Sequence, residues 1–388
     1  MATSKALKYD IVNFVDDIFS KAISFGASDI HIEPLDKKII VRYRIDGILR
    51  VVLEEDFYFY EPMIARIKIL AELETTGLPR PQEGKIKFSH QGNQVDLRVS
   101  IFPTCYGENI VIRLLESIKV YKEFTDLGFD SQQAKQLETI IKKPYGLILV
   151  TGPNGSGKST TLFSVLDKLN EPGKCLVTLE DPIERKLEMI RQTQIEPKIN
   201  LDFASGLRYL LRQDPDIIMV GEIRDKETAQ IAVQAAITGH LVFATIHTNN
   251  AAGAIVRLVN MKVEPFLLAS AIKLITAQRL ARLNCPACKK EYFPPIELLT
   301  RLNIKGKTKF YNSDGCEKCD YKGIKGRIAF HEVLVIDSKI QNLILTNPSD
   351  ELINESAVKV GMETLRSRAL DLVNQGLISL EEALRLTE

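Results

Sequence analysis

Long apolar runs, an excess of either charge, internal repeats and low-complexity tracts are all missing from this chain. Its 388 residues contain nothing approaching the roughly 18 consecutive apolar residues of a membrane-spanning helix, and Met1-Ala2-Thr3-Ser4-Lys5 leads into no signal-peptide block. A cytosolic protein is expected, reaching any membrane through a partner. With 51 basic and 50 acidic residues the formal charge is +1, so no general attraction draws the chain to nucleic acid or to an anionic bilayer. Cysteine is scarce as well. Of six, Cys105 and Cys175 stand alone and read as small buried hydrophobes, while the other four form two Cys-x-x-Cys pairs. What is present is an average globular balance, 45% apolar and 26% charged, on a chain too long for a single core. Two or three packed domains follow.

Ile11, Val12, Phe14, Val15, Ile18, Phe19, Ala22 and Ile23 recur at helical spacing up to Gly26. A strand-rich module comes next. Ile39, Val41, Tyr43 and Ile45 alternate with charged residues, and Asp46-Gly47 is a two-residue hairpin turn. Val95, Leu97, Val99 and Ile101 alternate in the same way and leave Arg98 on the open face, while Arg113 lies on a further strand through Ile110 to Leu115. Residues 116–125 read as a linker. Beyond it, continuous apolar segments at Leu147–Val150, Leu176–Leu179, Ile217–Val220 and Leu241–Ile246 are spaced for intervening helices, the pattern of a parallel α/β sheet buried on both faces. Glu332 to Glu388 reads as helical, with a capping box at Ser379-Leu380-Glu381-Glu382.

The chemistry concentrates at Gly152-Pro153-Asn154-Gly155-Ser156-Gly157-Lys158-Ser159, which matches G-x-x-x-x-G-K-[ST] directly after a buried strand and before a helix-forming run starting near Thr160. Its glycines let backbone N–H groups converge on phosphate oxygens, Lys158 reaches the outer phosphates, and Ser159 can ligate magnesium. Ligands of parallel sheets bind at the carboxyl ends of strands, so Glu222, Glu180 with Asp181, and His247 become candidates. Phosphoryl transfer to water needs a metal, a group that orients the water, and positive charge on the phosphoryl oxygens. Glu222 is assigned as the water-activating base, Glu180 or Asp181 as a magnesium holder and His247 as a contact to the terminal phosphate. His240 lies seven residues earlier, roughly 23 Å along a strand, and is assigned a structural role.

These residues resemble the secretion ATPases of type II secretion and type IV pilus assembly. Ser28-Asp29-Ile30-His31-Ile32-Glu33-Pro34 with Val41-Arg42-Tyr43-Arg44-Ile45-Asp46-Gly47 is similar to the family's N-terminal signature. Thr178 to Glu184 is similar to its Asp box, Leu211 to Asp216 through Gly221-Glu222-Ile223-Arg224-Asp225 to its Walker B region, and Thr238-Gly239-His240 through His247-Thr248 to its His box. The resemblance implies a RecA-like phosphate-loop domain (126–283) beside a separate α+β, PAS-like N-terminal domain (1–115), a tetracysteine zinc insertion (284–330) and a C-terminal helical region (331–388). It further implies a homohexamer using ATP and magnesium, and action through a platform protein at the cytoplasmic face of the inner membrane. Arg98 and Arg113 match arginines that reach the nucleotide from the N-terminal domain.

Cys285-Pro286-Ala287-Cys288 and Cys316-Glu317-Lys318-Cys319 enclose 27 residues and have the form of a Cys₄ zinc site. A thioredoxin-like reaction would need no second pair. Such a module resembles assembly ATPases and is typically absent from retraction motors. There are departures from the family pattern. Many members begin with a further N-terminal domain, whereas this chain enters the strand-rich domain directly, as a piece of a longer chain or a member of a short branch would. Asn250 stands where the family usually has Asp, and Thr75 to Arg80 differs from the usual wording before Pro81-Gln82-Glu83-Gly84. The alternatives are a hexameric nucleic-acid translocase or DNA-uptake ATPase, disfavoured by the balanced charge and the lack of an aromatic-interleaved basic tract, and a non-catalytic scaffold, disfavoured by the presence of both Lys158 and Glu222.

Overall fold

The computed structural model describes residues 10–115, 120–295, 299 and 309–388. Two compact units divide the chain, Met1–Ile118 and Lys119–Glu388. Part of the stretch read as a linker (116–119) and part of the cysteine insertion (296–298, 300–308) lie outside the described residues.

In the first unit, helix α1 (Ile11–Ser24) begins at Asp10, whose carboxylate accepts the Val12 N–H, and is followed by Gly26 at φ 62°. Strands β1 (Asp29–Pro34), β2 (Lys38–Ile45) and β3 (Ile48–Asp56) precede helix α2 (Tyr60–Leu70), and β4 (Gln82–His90), β5 (Asn93–Thr104) and β6 (Gly107–Leu115) follow it. They form one antiparallel sheet in the order β3-β2-β1-β6-β5-β4. Alternation sorts the two faces. Ile30, Ile32, Val41, Tyr43, Leu97, Val99 and Ile112 share a core with the apolar stripes of α1 and α2. The Tyr43 hydroxyl fastens sheet to helix by donating to the Ile18 carbonyl at 2.6 Å. Asp46-Gly47 makes the β2–β3 turn, both residues at positive φ as that tight turn requires. Cys105, expected to be buried, is exposed in the β5–β6 turn, and Cys175 in the second unit is half-buried. Cys105 lies beyond the end of β5 and Cys175 just before the start of the strand Leu176–Glu180, where strand pairing no longer buries the chain.

The second unit is built on a seven-stranded sheet in the order β15-β12-β7-β11-β10-β8-β9. Helix α3 (Ser131–Ile140) leads to β7 (Gly146–Thr151), α4 (Lys158–Leu169), β8 (Leu176–Glu180), β9 (Arg191–Gln194), α5 (Phe203–Leu210), β10 (Ile217–Val220), α6 (Lys226–Ile237) and β11 (Leu241–Ile246). Every residue of β7, β8, β10 and β11 is buried, as continuous apolar runs require of strands covered on both faces. Helices α7 (Ala251–Asn260) and α8 (Pro265–Ala271) precede a long strand, β12 (Ile272–Asn284), which runs parallel to β7 and antiparallel to β15 (Ile324–Val335). Between these two, β13 (Lys289–Tyr292) and β14 (Phe310–Ser313) make a ribbon beside the cysteines.

Four helices close the chain: α9 (Ser338–Thr346), α10 (Asp350–Lys359), α11 (Leu365–Asn374) and α12 (Leu380–Thr387). Glu332–Val335, read as the start of the helical region, instead finish β15, paired with β12, with Glu332, Val333 and Leu334 buried. Ser379 caps α12 as expected by accepting the Glu382 N–H, but the Glu382 carboxylate turns away to accept the Arg282 N–H at 2.9 Å and to pair with Arg385. A tertiary partner outcompetes half of the capping box. No helix among the described residues is long and apolar enough to cross a membrane.

Candidate active site

Strands β7, β11, β10 and β8 are adjacent and parallel, so their carboxyl ends deliver four consecutive loops to one place. The phosphate loop follows β7, and Lys158, Ser159 and Thr160 form the first turn of α4, whose N-terminal N–H groups and dipole favour an anion. Gly152 and Gly157 are required for shape as well as conformation. Both have positive φ, and a Cβ at Gly152 would lie 2.5 Å from the Gln278 carbonyl oxygen. The Lys158 ammonium folds back onto the carbonyls of Gly152 (2.9 Å) and Pro153 (3.1 Å). Burial lowers its pKa, Glu222 opposes that shift, and Arg279 adds to it. The buried Ser156 hydroxyl has no hydrogen-bond partner among the described residues, which suits a loop whose donors meet phosphate oxygens.

Glu222 follows β10 in a segment locked to both neighbouring strands. The Gly221 N–H donates to Leu179 O at 2.7 Å, the Ile223 N–H to Thr245 O at 2.9 Å, and the Thr245 hydroxyl to Gly221 O at 2.6 Å. The Glu222 carboxylate is held on both oxygens, Oε2 by Arg224 Nε at 2.6 Å and Oε1 by His247 Nε2 at 2.9 Å. Arg224 also lies 3.6 Å from Asp181 and so joins the β10 and β8 loops. Glu180, the last residue of β8, is buried; its Oε1 accepts from the Thr178 hydroxyl (2.5 Å) and from Gln192 Nε2 (2.9 Å), the latter delivered by β9 in register with Thr178. Burial raises its pKa, and those two hydrogen bonds oppose the rise. His240 sits at the other end of β11, its Nδ1 3.0 Å from Ala235 O, which agrees with a structural assignment.

Two further residues border the loop without any signal in the sequence pattern. The strand β12 carries Gln278 and Arg279 just past its last pairing with β7. Gln278 Oε1 accepts from the Thr161 hydroxyl at 2.8 Å, and the buried Arg279 donates to Asn249 O at 2.6 Å. Only the fold brings them beside Lys158. Arg98 and Arg113 belong to the other unit, where they stand directly opposite one another on β5 and β6.

Over residues 5–385 the sequence matches the family described as type II/IV secretion system protein. The type II secretion system ATPase E of Vibrio cholerae is 43% identical over 380 residues, 97% of this chain and 75% of that protein. The chain belongs to the type II/IV secretion system protein family. The type IV pilus assembly ATPase PilB of Thermus thermophilus is 46% identical over 379 residues, 96% of this chain and 42% of its own length. Among solved structures, the pilus retraction motor PilT with bound ADP superposes with a TM-score of 0.65 at 28% identity, covering 96% of both chains. The Legionella pneumophila ATPase DotB gives 0.73 at 22% identity over 99% of this chain and 97% of that one, a likeness of fold. The enzyme class of this secretion-family chain is ATP hydrolase.

The family member's second centre is the cysteine cluster. All four Sγ atoms of Cys285, Cys288, Cys316 and Cys319 lie within 4.8 Å of one another, with separations of 3.9 Å (Cys285–Cys316), 3.8 Å (Cys288–Cys319) and 3.8 Å (Cys316–Cys319). A tetrahedral site with Zn–S near 2.3 Å places its sulfurs about 3.8 Å apart, so the set fits zinc. Although burial opposes it, the backbone N–H groups of Cys316 and Gly323 pull the Cys319 thiol down to about 7.

Proposed function

We propose that this chain is the ATP-driven motor of a pilus or pseudopilus assembly system. It works as a homohexamer at the cytoplasmic face of the inner membrane and acts through a membrane platform protein. One observation carries the reading: four neighbouring parallel strands bring a phosphate loop, a histidine, a doubly held glutamate and a buried acid to one end of one sheet. The tetracysteine cluster, shaped for zinc, favours assembly over retraction by the family resemblance.

In this mechanism Lys158 exchanges its own loop's carbonyls for the outer phosphate oxygens of ATP. Ser159 and Glu180 would hold a magnesium ion, which would supply charge neutralisation at those oxygens. The His247 Nε2–H leaves Glu222 for the terminal phosphate, and that exchange frees a Glu222 oxygen to accept a proton from the attacking water. Arg224 stays on the other oxygen and keeps the carboxylate oriented. Arg98 and Arg113 lend positive charge to the transferring phosphoryl group. Replacing Glu222 by Gln removes the base and leaves the phosphate loop intact, so ATP affinity should hold while kcat falls by about 10²- to 10⁴-fold. Steady-state hydrolysis and fluorescent-nucleotide titration of the variant test this; full turnover in Glu222→Gln would sink it.

A further inference from the structure

Four residues in a row after His247 are each gripped by a side chain from a different element. Thr248 is held by Thr151 at the end of β7, whose hydroxyl accepts the Thr248 N–H at 2.8 Å and meets the Thr248 hydroxyl at 2.8 Å. The Asn249 carbonyl accepts from Arg279 of β12 at 2.6 Å. Asn250 Nδ2 donates to both oxygens of Asp350, at 3.0 and 3.2 Å, while its Oδ1 accepts the Gly253 N–H at 2.7 Å and caps α7. The Ala251 N–H donates to Glu332 Oε1 at 2.8 Å.

Three of these grips continue into the C-terminal helices. Asp350 is the first residue of α10. The other oxygen of Glu332 accepts the N–H of Leu365, the first residue of α11, at 3.1 Å, so one buried carboxylate caps two helices. Arg279 Nε donates to the carbonyl of Leu386, in the last turn of α12, at 3.3 Å. An ordinary surface loop has no need of such density. Here it immediately follows His247, which reaches Glu222 from the end of β11.

We infer that Arg279, Glu332 and Asp350 are positioning residues for His247, and that through them the C-terminal helices set the register of the His247 loop against the phosphate loop. The inference rests on the role given to His247 above. It also accounts for Asn250, where the family resemblance expects aspartate: an acid there would face the Asp350 carboxylate at hydrogen-bond distance, whereas the amide donates to it.

The Asn250–Asp350 pair allows a test by reversal. Asn250→Asp sets two carboxylates against each other, and the double variant Asn250→Asp with Asp350→Asn restores the bond with donor and acceptor exchanged. A displacement of reacting groups by about 1 Å costs on the order of 10²-fold. The single variant should therefore lose about 10- to 100-fold in kcat, with KM and nucleotide affinity within about twofold, and the double variant should return to within about threefold of the parent. Wild-type kcat in Asn250→Asp, alongside a slow His247→Ala, overturns the inference and leaves the proposed site standing. Wild-type kcat in His247→Ala overturns the site reading itself. Should Asn250→Asp not fold, Arg279→Lys carries the same test, because it keeps the charge and loses the fork that holds both Asn249 and Leu386. A wild-type rate in that variant also overturns the inference.

Discussion

His331 is a titratable side chain with no exposed surface. Its ring stacks on Phe129 with centroids 3.5 Å apart, Nε2 lies 2.8 Å from the Leu127 carbonyl, and Nδ1 lies 3.4 Å from the Thr276 hydroxyl. Nε2 therefore carries the proton, and the neutral ring pins the start of the second unit to β15. Burial pulls its pKa down to about 4. Because the folded value is depressed below the unfolded one of about 6.5, the unfolded chain takes up the proton first as pH falls. The stabilisation is complete above about pH 6.5, declines between about 6.5 and 4, and is gone below, a loss of about 3 kcal/mol. Glu180 and Glu332 have carboxyls raised by burial and act with the opposite sign, so the informative comparison is with His331→Gln. Urea midpoints should fall more steeply from pH 7 to pH 4.5 in the parent than in this variant. Parallel slopes would show that His331 takes no part.

At the scale of elements, sequence pattern and structure agree wherever burial is two-sided and uninterrupted. The runs of β7, β8, β10 and β11 could be read directly, and with them the loops bearing Lys158, Glu180, Glu222 and His247. The strand β12 could not: Ile272, Leu274, Ile275, Leu280 and Ala281 follow no period of two, and nothing local says that Gln278 and Arg279 are buried. Their burial is decided by Thr161 and Asn249, more than 100 and about 30 residues away in sequence. The tetracysteine module was legible because metal ligands must recur at fixed spacing whatever surrounds them. Its docking was not. The Asn284 N–H donates to Leu377 O at 2.7 Å, and Lys289 Nζ to Gly376 O at 3.4 Å, so the module braces the turn between α11 and α12. Metal binding contributes on the order of 10 kcal/mol to folding such a module. The purified chain should carry one zinc per protomer, and stripping it with a chelator should open residues 375–379 to protease while nucleotide binding persists. A chain that holds no zinc, or one whose cleavage pattern ignores the chelator, contradicts the assignment.

Across the whole molecule, charge is nearly balanced, yet the first unit concentrates it in one line. Across its sheet, Arg44, Asp29, Arg113, Arg98 and Lys85 are cross-strand neighbours on five consecutive strands and share the face opposite the helices. Asp29 pairs with Arg113 at 3.1 Å and with Arg44 at 3.4 Å, and Arg98 lies across from Arg113 on one side and Lys85 on the other. The proposed part of Arg98 and Arg113 in hydrolysis makes this row the place to test the first unit. Arg98→Ala, at a half-buried position on the open face of the sheet, should change stability by about 0.5 kcal/mol, the range of a surface change. Its turnover should fall by about 10³-fold or more, as loss of an arginine finger does, with ATP still bound. Melting curves and steady-state hydrolysis on the same preparation separate the possibilities. A variant that melts early and hydrolyses slowly would mark Arg98 as a structural residue, and one that hydrolyses at the parent's rate would remove Arg98 from the chemistry.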